Sequence, residues 1–105
     1  MKMDDMKDMM QRAQEMQSRM GDLQKELATR RFEASAGGGM VKVTASGALR
    51  VMSIDIEDSL IGSEDKAMLQ DLIASAVNAA IHKAQEGVGQ EVARMQQSMM
   101  TEMGS

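Results

Sequence analysis

Seven apolar residues near the start of the chain, Met6, Met9, Ala13, Met16, Met20, Leu23 and Leu27, are spaced alternately three and four apart. A spacing that averages 3.5 residues keeps side chains on one narrow stripe of a helix, the a/d seam of a coiled coil. It predicts a single helix over residues 3–30, about 42 Å long at 1.5 Å per residue. Charged and amide residues fill the other faces, among them Lys7, Asp8, Gln11, Arg12, Gln14, Glu15, Arg19, Asp22, Lys25 and Glu26. Gly21 lies off the seam and costs about 1 kcal/mol relative to Ala, which makes a soft spot there. In a chain of 105 residues such a helix outruns any sheet that the remainder can build. Part of its apolar stripe then needs a second chain to cover it, so an oligomer is expected.

The period changes at Arg31. Phe32, Ala34 and Ala36 alternate with Arg31, Glu33 and Ser35, a weak first strand. Gly37, Gly38 and Gly39 supply the unrestricted backbone of a turn. Val41, Val43 and Ala45 alternate with Lys42, Thr44 and Ser46, a strand with one solvated face. Ser46 and Gly47 mark the next turn. Leu49 to Ile56 reads as a third strand with Met52, Ile54 and Ile56 on one face. Leu49 and Val51 have the opposite parity, which predicts either a bulge near Arg50 or an apolar second face. Connections this short favour an antiparallel meander.

Ser63 is a suitable N-cap, and Glu64 and Asp65 suit the positive end of a helix. Leu69, Ile73, Ala76, Ala80 and Ala84 begin a stripe that continues through Val88, Val92, Met95, Met99 and Met103. Its phase survives Gly87 and Gly89, so one helix is expected from about 64 to about 102, kinked or frayed at the glycines. The expectation is therefore one α+β domain over residues 1–105. It runs α-β-β-β-α, with a small antiparallel three-stranded sheet and two long helices that project from it as an arm.

Composition removes several functions. The chain has no Cys, one His and one aromatic residue, Phe32. Thiol chemistry and disulfides are excluded, and a zinc site would need carboxylates for its other ligands. Folds that stack bases on aromatic platforms are disfavoured. No nucleophile–base pair stands out, so the chain does not read as an enzyme, and no cofactor or small-molecule substrate is implied. No stretch approaches the ~20 apolar residues of a membrane helix, and charges interrupt the N-terminus, which points to the cytoplasm. The net charge of −4 is unevenly spread. Residues 1–51 sum to +2 and residues 52–105 to −6, so the first half is where a polyanion would be met.

The run Gly37-Gly38-Gly39-Met40-Val41-Lys42-Val43-Thr44-Ala45-Ser46-Gly47 resembles the glycine-turn and strand signature of the YbaB/EbfC nucleoid-associated proteins. Ser53-Ile54-Asp55-Ile56 followed by Ser59-Leu60 is similar to that family's third strand and exit. The stretches Asp65–Ile73 and Ala76–Ala80 look like the start of its last helix. The Met- and Gln-rich opening matches in character. Asp58 stands where the family often has Pro, and the segment after Gln85 follows no family pattern. The resemblance implies a cytoplasmic homodimer, associated with the nucleoid, whose helices project like the arms of tweezers. Duplex DNA would lie against those arms, with a role in chromosome organisation and in gene regulation.

On the residues alone, the basic groups of the first helix (Lys2, Lys7, Arg12, Arg19 and Lys25) read as a solvated face, because six acidic residues share residues 1–31. The resemblance turns the expectation towards phosphate contact by Lys7, Arg12, Arg19 and Lys25, joined by Arg94 of the last helix. Arg12 and Arg19 are one heptad apart, and arginine's planar fork suits phosphate. Arg30, Arg31, Lys42 and Arg50 near the sheet either extend that surface or solvate strand edges; the second is favoured. His82 reads as a surface histidine. The three glycines lack the Lys-Ser/Thr of a phosphate-binding loop. Asp55, Glu57 and Asp58 lack the spacing of a calcium loop and would face away from DNA. A rival function is a dimeric coiled-coil adaptor or chaperone whose Met-rich arms grip apolar protein segments, which the net charge suits better. Of the 14 Met, seven lie in residues 1–20 and four in 95–103. They are expected to pair along a projection that flexes on a firmer base.

Overall fold

The computed structural model describes residues 3–62 and 64–104. Helix α1 (Met3–Thr29) leads into strands β1 (Arg31–Ala36), β2 (Val41–Ser46) and β3 (Val51–Ile56), a 3-10 turn at Asp58–Leu60, and helix α2 (Lys66–Gly104). The sheet is antiparallel in the order β1-β2-β3. The fold is the expected α+β arrangement, drawn out to 75 × 19 × 16 Å.

The inner face of the sheet follows from alternation. Val41, Val43 and Ala45 of β2 are fully buried, and Phe32, Ala34 and Ala36 of β1 are half-buried beside them. Helix α2 covers these two strands with Ala76, Ala80 and Ala84, all at 0% exposure, flanked by Leu69, Leu72, Ile73, Val77 and Ile81. Small residues every fourth position let the helix axis come close to the sheet. Gly37, Gly38 and Gly39 all have φ between +63° and +96°, the left-handed region, and close the β1–β2 turn.

Two glycines are fixed by close approach instead. A Cβ on Gly47 would stand 1.8 Å from the Leu27 carbonyl oxygen, and one on Gly87 would stand 2.3 Å from the Phe32 ring. The first seats the end of α1 on the β2–β3 turn, where the Gly47 N–H also donates to the Arg30 carbonyl. The second lets the chain's one aromatic ring lie close against α2. The helix runs unbroken through Gly87 and Gly89 rather than ending or fraying there.

Two boundaries differ from expectation. Leu49 sits in the turn with φ +62°, so β3 begins at Val51. The bulge expected near Arg50 is present, at Met52: Thr44 pairs with Ser53 while Ala45 pairs with Val51. The cap of α2 is Asp65, whose Oδ1 accepts the Met68 N–H at 2.9 Å; Ser63 lies outside the described residues.

Helix α2 reaches β3 only at its margin, so the apolar residues of that strand are largely uncovered. Val51 is 41%, Ile54 44% and Met52 54% exposed. Beyond the sheet, α1 and the outer half of α2 run antiparallel. Arg30 pairs with Glu91 at 3.5 Å and Arg19 with Glu102 at 3.0 Å. Both members of the second pair lie eleven residues outward of the first, the signature of one constant register. On that register Gly104 lies level with Gln17. Roughly the first 21 Å of α1 therefore overshoot the end of α2.

Candidate nucleic-acid interface

The seam of α1 points at α2 through Met16, Met20, Leu23 and Leu27, with Leu27 buried and the others half-buried. From α2, Val88, Val92, Met95 and the buried Met99 answer it; the Met103 side chain lies outside the described residues. Met9 and Met16 of α1 line one groove of about 610 Å³ with Met99 of α2. In the overshoot the same seam has little cover. Met3, Met6, Met9 and Met10 are all exposed.

The expected basic residues fall into three places. Lys7 and Lys25 are eighteen residues apart, five full helical turns, and so share one side of α1 about 27 Å apart. They are exposed and make no ion pair among the described residues. Arg12 and Arg19 sit about a third of the way round the helix from them, on the flank of the seam. Arg12 pairs with Asp8 at 3.5 Å one turn back, and Arg19 with Glu102. Arg94 lies on α2 at the root of the arm and pairs with Glu91 at 3.1 Å. Glu91 also holds Arg30, which in turn meets Glu26 at 3.5 Å, giving an alternating chain of charges. Ion pairs this exposed are worth about 0–1 kcal/mol, so a phosphate can take either Arg12 or Arg19 from its partner at small cost.

Other candidates take structural places. Lys83 donates to the Glu33 carbonyl at 2.9 Å and ties α2 to β1. His82 is exposed and pairs with Glu86 at 3.0 Å on its own helix. Among the described residues no three His, Cys, Asp or Glu side chains converge on a point where a metal could sit.

The strand register exposes a feature that composition hides. Arg31 pairs with Ser46 across β1 and β2, and the Ser46 N–H donates to the Arg50 carbonyl at 2.8 Å. Arg31, Ser46 and Arg50 thus form a row across the sheet at the end from which the arm departs. At the opposite end, about 17 Å away along six-residue strands, β3 runs out into Asp55, Glu57 and Asp58. The sheet is therefore positive at the root of the arm and negative at its far end. Hydrophobic alternation carries no trace of this; it emerges only once β2 and its partners are in register.

The model of the YbaB/EbfC DNA-binding family matches residues 1–99, and so takes in most of the segment after Gln85, which carries no recognisable motif of its own. A nucleoid-associated protein of Moorella thermoacetica is 48% identical over 95 residues, covering 90% of this chain and 91% of that one. A nucleoid-associated protein of Pelotomaculum thermopropionicum is 47% identical over 90 residues, 86% of each chain. In three dimensions the chain is similar to the crystal structure of an uncharacterized protein from Helicobacter pylori. The TM-score is 0.71 at 24% identity, over 91% of this chain and 98% of that one, a likeness of fold.

Proposed function

The chain belongs to the YbaB/EbfC DNA-binding family, and from that premise we propose that it binds duplex DNA as a homodimer, through the arms, and helps organise the chromosome within the nucleoid. The observation that carries this reading is the arm itself. Two antiparallel helices run past the sheet and present Lys7, Arg12, Arg19, Lys25 and Arg94 as exposed cations, while the carboxylates of Asp55, Glu57 and Asp58 lie at the other end of the molecule. Contacts of Lys and Arg with phosphates give affinity with little base preference, which suits a protein that coats DNA. Any base readout falls to Gln and Arg side chains of the arms, and regulation of genes would follow from occupancy of their control regions. The described residues include no helix long and apolar enough to cross a membrane, and the relatives' names place them at the nucleoid.

The homodimer reading is supported by β3. A strand edge with an apolar face left open by its own helix is a pairing surface, and a second copy of the same edge satisfies both its hydrogen bonds and its side chains. Each phosphate contact is then made twice.

The test is a duplex-binding titration of the Arg12→Ala/Arg19→Ala double variant, checked for unchanged helix content and dimer mass. A fall in affinity of roughly tenfold or more at ~100 mM salt is expected if the four arginines of a dimer meet phosphates. Unchanged affinity would remove these two residues from the interface. One observation favours a second reading, an arm that grips apolar protein: the uncovered Met3, Met6, Met9 and Met10. Binding of an apolar peptide by a chain that ignores duplex DNA would favour it.

A further inference from the structure

The cleft at the root of the arm has the makings of an anion site. It encloses about 530 Å³ between the end of α1, the start of β1 and the β2–β3 turn. Arg31 and Arg50 both line it, together with Ser46, the small residues Ala28 and Ala48, and Thr29 and Met52. Ser46 is 4% exposed, and alternation from the buried Ala45 places it on the sheet face opposite α2, with its partner Arg31. Strands lie about 4.8 Å apart, so the two arginine backbones, one strand to either side of Ser46, are roughly 10 Å apart. Backbones at that spacing leave both long side chains within reach of one tetrahedral anion lodged in the cleft.

Neither arginine makes an ion pair among the described residues. The carboxylates nearest in sequence do not neutralise them. Glu26 is paired with Arg30, and Glu33, two residues along the same strand from Arg31, makes no ion pair among the described residues. Two unpaired arginines facing a common cleft repel one another unless an anion joins them. Charges placed only to keep a strand edge soluble have no need of a shared concavity.

We infer that Arg31 and Arg50 form a phosphate-binding cleft at the root of the arm. Resting on the DNA-binding reading above, the ligand is a phosphodiester of the duplex that lies along the arm, gripped where arm meets sheet. The chain would then meet DNA with the side of the sheet that α2 leaves open as well as with its helices. Arginine's fork fits a phosphate with two parallel hydrogen bonds, where lysine offers only a point charge.

The first experiment measures affinity for a 20–30 base-pair duplex at several salt concentrations, comparing the full chain with Arg31→Gln/Arg50→Gln and Arg31→Lys/Arg50→Lys. The glutamine pair should weaken binding roughly fivefold or more at ~100 mM salt and lower the salt slope by about 0.9 for each phosphate that is no longer neutralised. The lysine pair should keep the slope while binding less tightly than the arginine pair. An unchanged slope in the glutamine pair overturns the inference. A second measurement needs no variant: modification of the unaltered protein by an arginine-directed dicarbonyl reagent, mapped by mass spectrometry, alone, with duplex, and with inorganic phosphate. Protection of Arg31 and Arg50 by duplex supports the site and its DNA source. Protection by inorganic phosphate but not by duplex supports the phosphate site and overturns the DNA source. Protection by neither overturns the site. If the unaltered chain binds no duplex at all, the failure belongs to the proposed function, and the phosphate arm alone decides the cleft.

Discussion

At the scale of single residues, two glycines of one helix make opposite predictions. Gly87 is held by the Phe32 ring, whereas nothing lies within 4 Å of a Cβ built on Gly89. Ala is favoured over Gly in a helix by up to about 1 kcal/mol. Gly89→Ala should therefore stabilise the protein by about 0.5–1 kcal/mol. Gly87→Ala meets the ring, and overpacking of about 1–3 kcal/mol outweighs the helix preference. Denaturant melts of the two variants should move in opposite directions; a stabilised Gly87→Ala would show that the ring moves freely aside. From the sequence both positions look alike, interruptions in one apolar stripe. Only the ring above Gly87 separates them, and spacing does not reveal which residue lies over which. The same limit hides the partners of Arg19 and Arg30. Their exposure is legible from the seam, but Glu102 and Glu91 become neighbours only through the antiparallel register of two distant helices.

Among the elements, α1, β1 and β2 are readable because each keeps one period from end to end. The seam ends at Leu27, and alternation takes over at Arg31 with no residue fitting both. β3 is harder. Leu49, Val51 and Met52 conflict in parity, and parity alone says that a residue is extra without saying which. The backbone resolves it by giving Leu49 to the turn and Met52 to the bulge. Nor does the pattern say that α2 lies over β1 and β2 and leaves β3 bare. That uncovered face carries a prediction of its own. Ile54→Lys puts a charge on an exposed position of the protomer, where folding should be little affected, but in the middle of the proposed pairing edge. Sedimentation at micromolar concentration should show a dimer for the unaltered chain and a monomer for the variant. A dimer that survives the lysine would move the interface elsewhere.

For the whole molecule, the methionines mark a gradient of packing. The sheet base is built from Val, Ile, Leu and Ala, with seven buried residues in one cluster. Among the described residues the arm is held by the buried Leu27 and Met99, by half-buried side chains and by the interhelical ion pairs Arg30–Glu91 and Arg19–Glu102 near the surface, and its outermost seam is open. Met fills gaps without fixing a single arrangement, and regions with few buried contacts open at low free-energy cost. Hydrogen exchange should thus be faster in residues 3–16 and 95–104 than in β2 and residues 73–84 of α2. Equal protection would mean that the arm is as firm as its base.

The positive groups of the arm are proposed to meet the phosphates of a duplex. The salt dependence of that binding tests the proposal most directly, because counterion release counts phosphates without a structure of the complex. The measurement is the affinity of the full chain for a 20–30 base-pair duplex between ~50 and ~200 mM salt. Five arm cations per protomer, ten in a dimer, predict that log K falls linearly with log salt at a slope between about −4 and −9. No affinity at ~50 mM salt, or an affinity that does not decline towards ~200 mM, would contradict it.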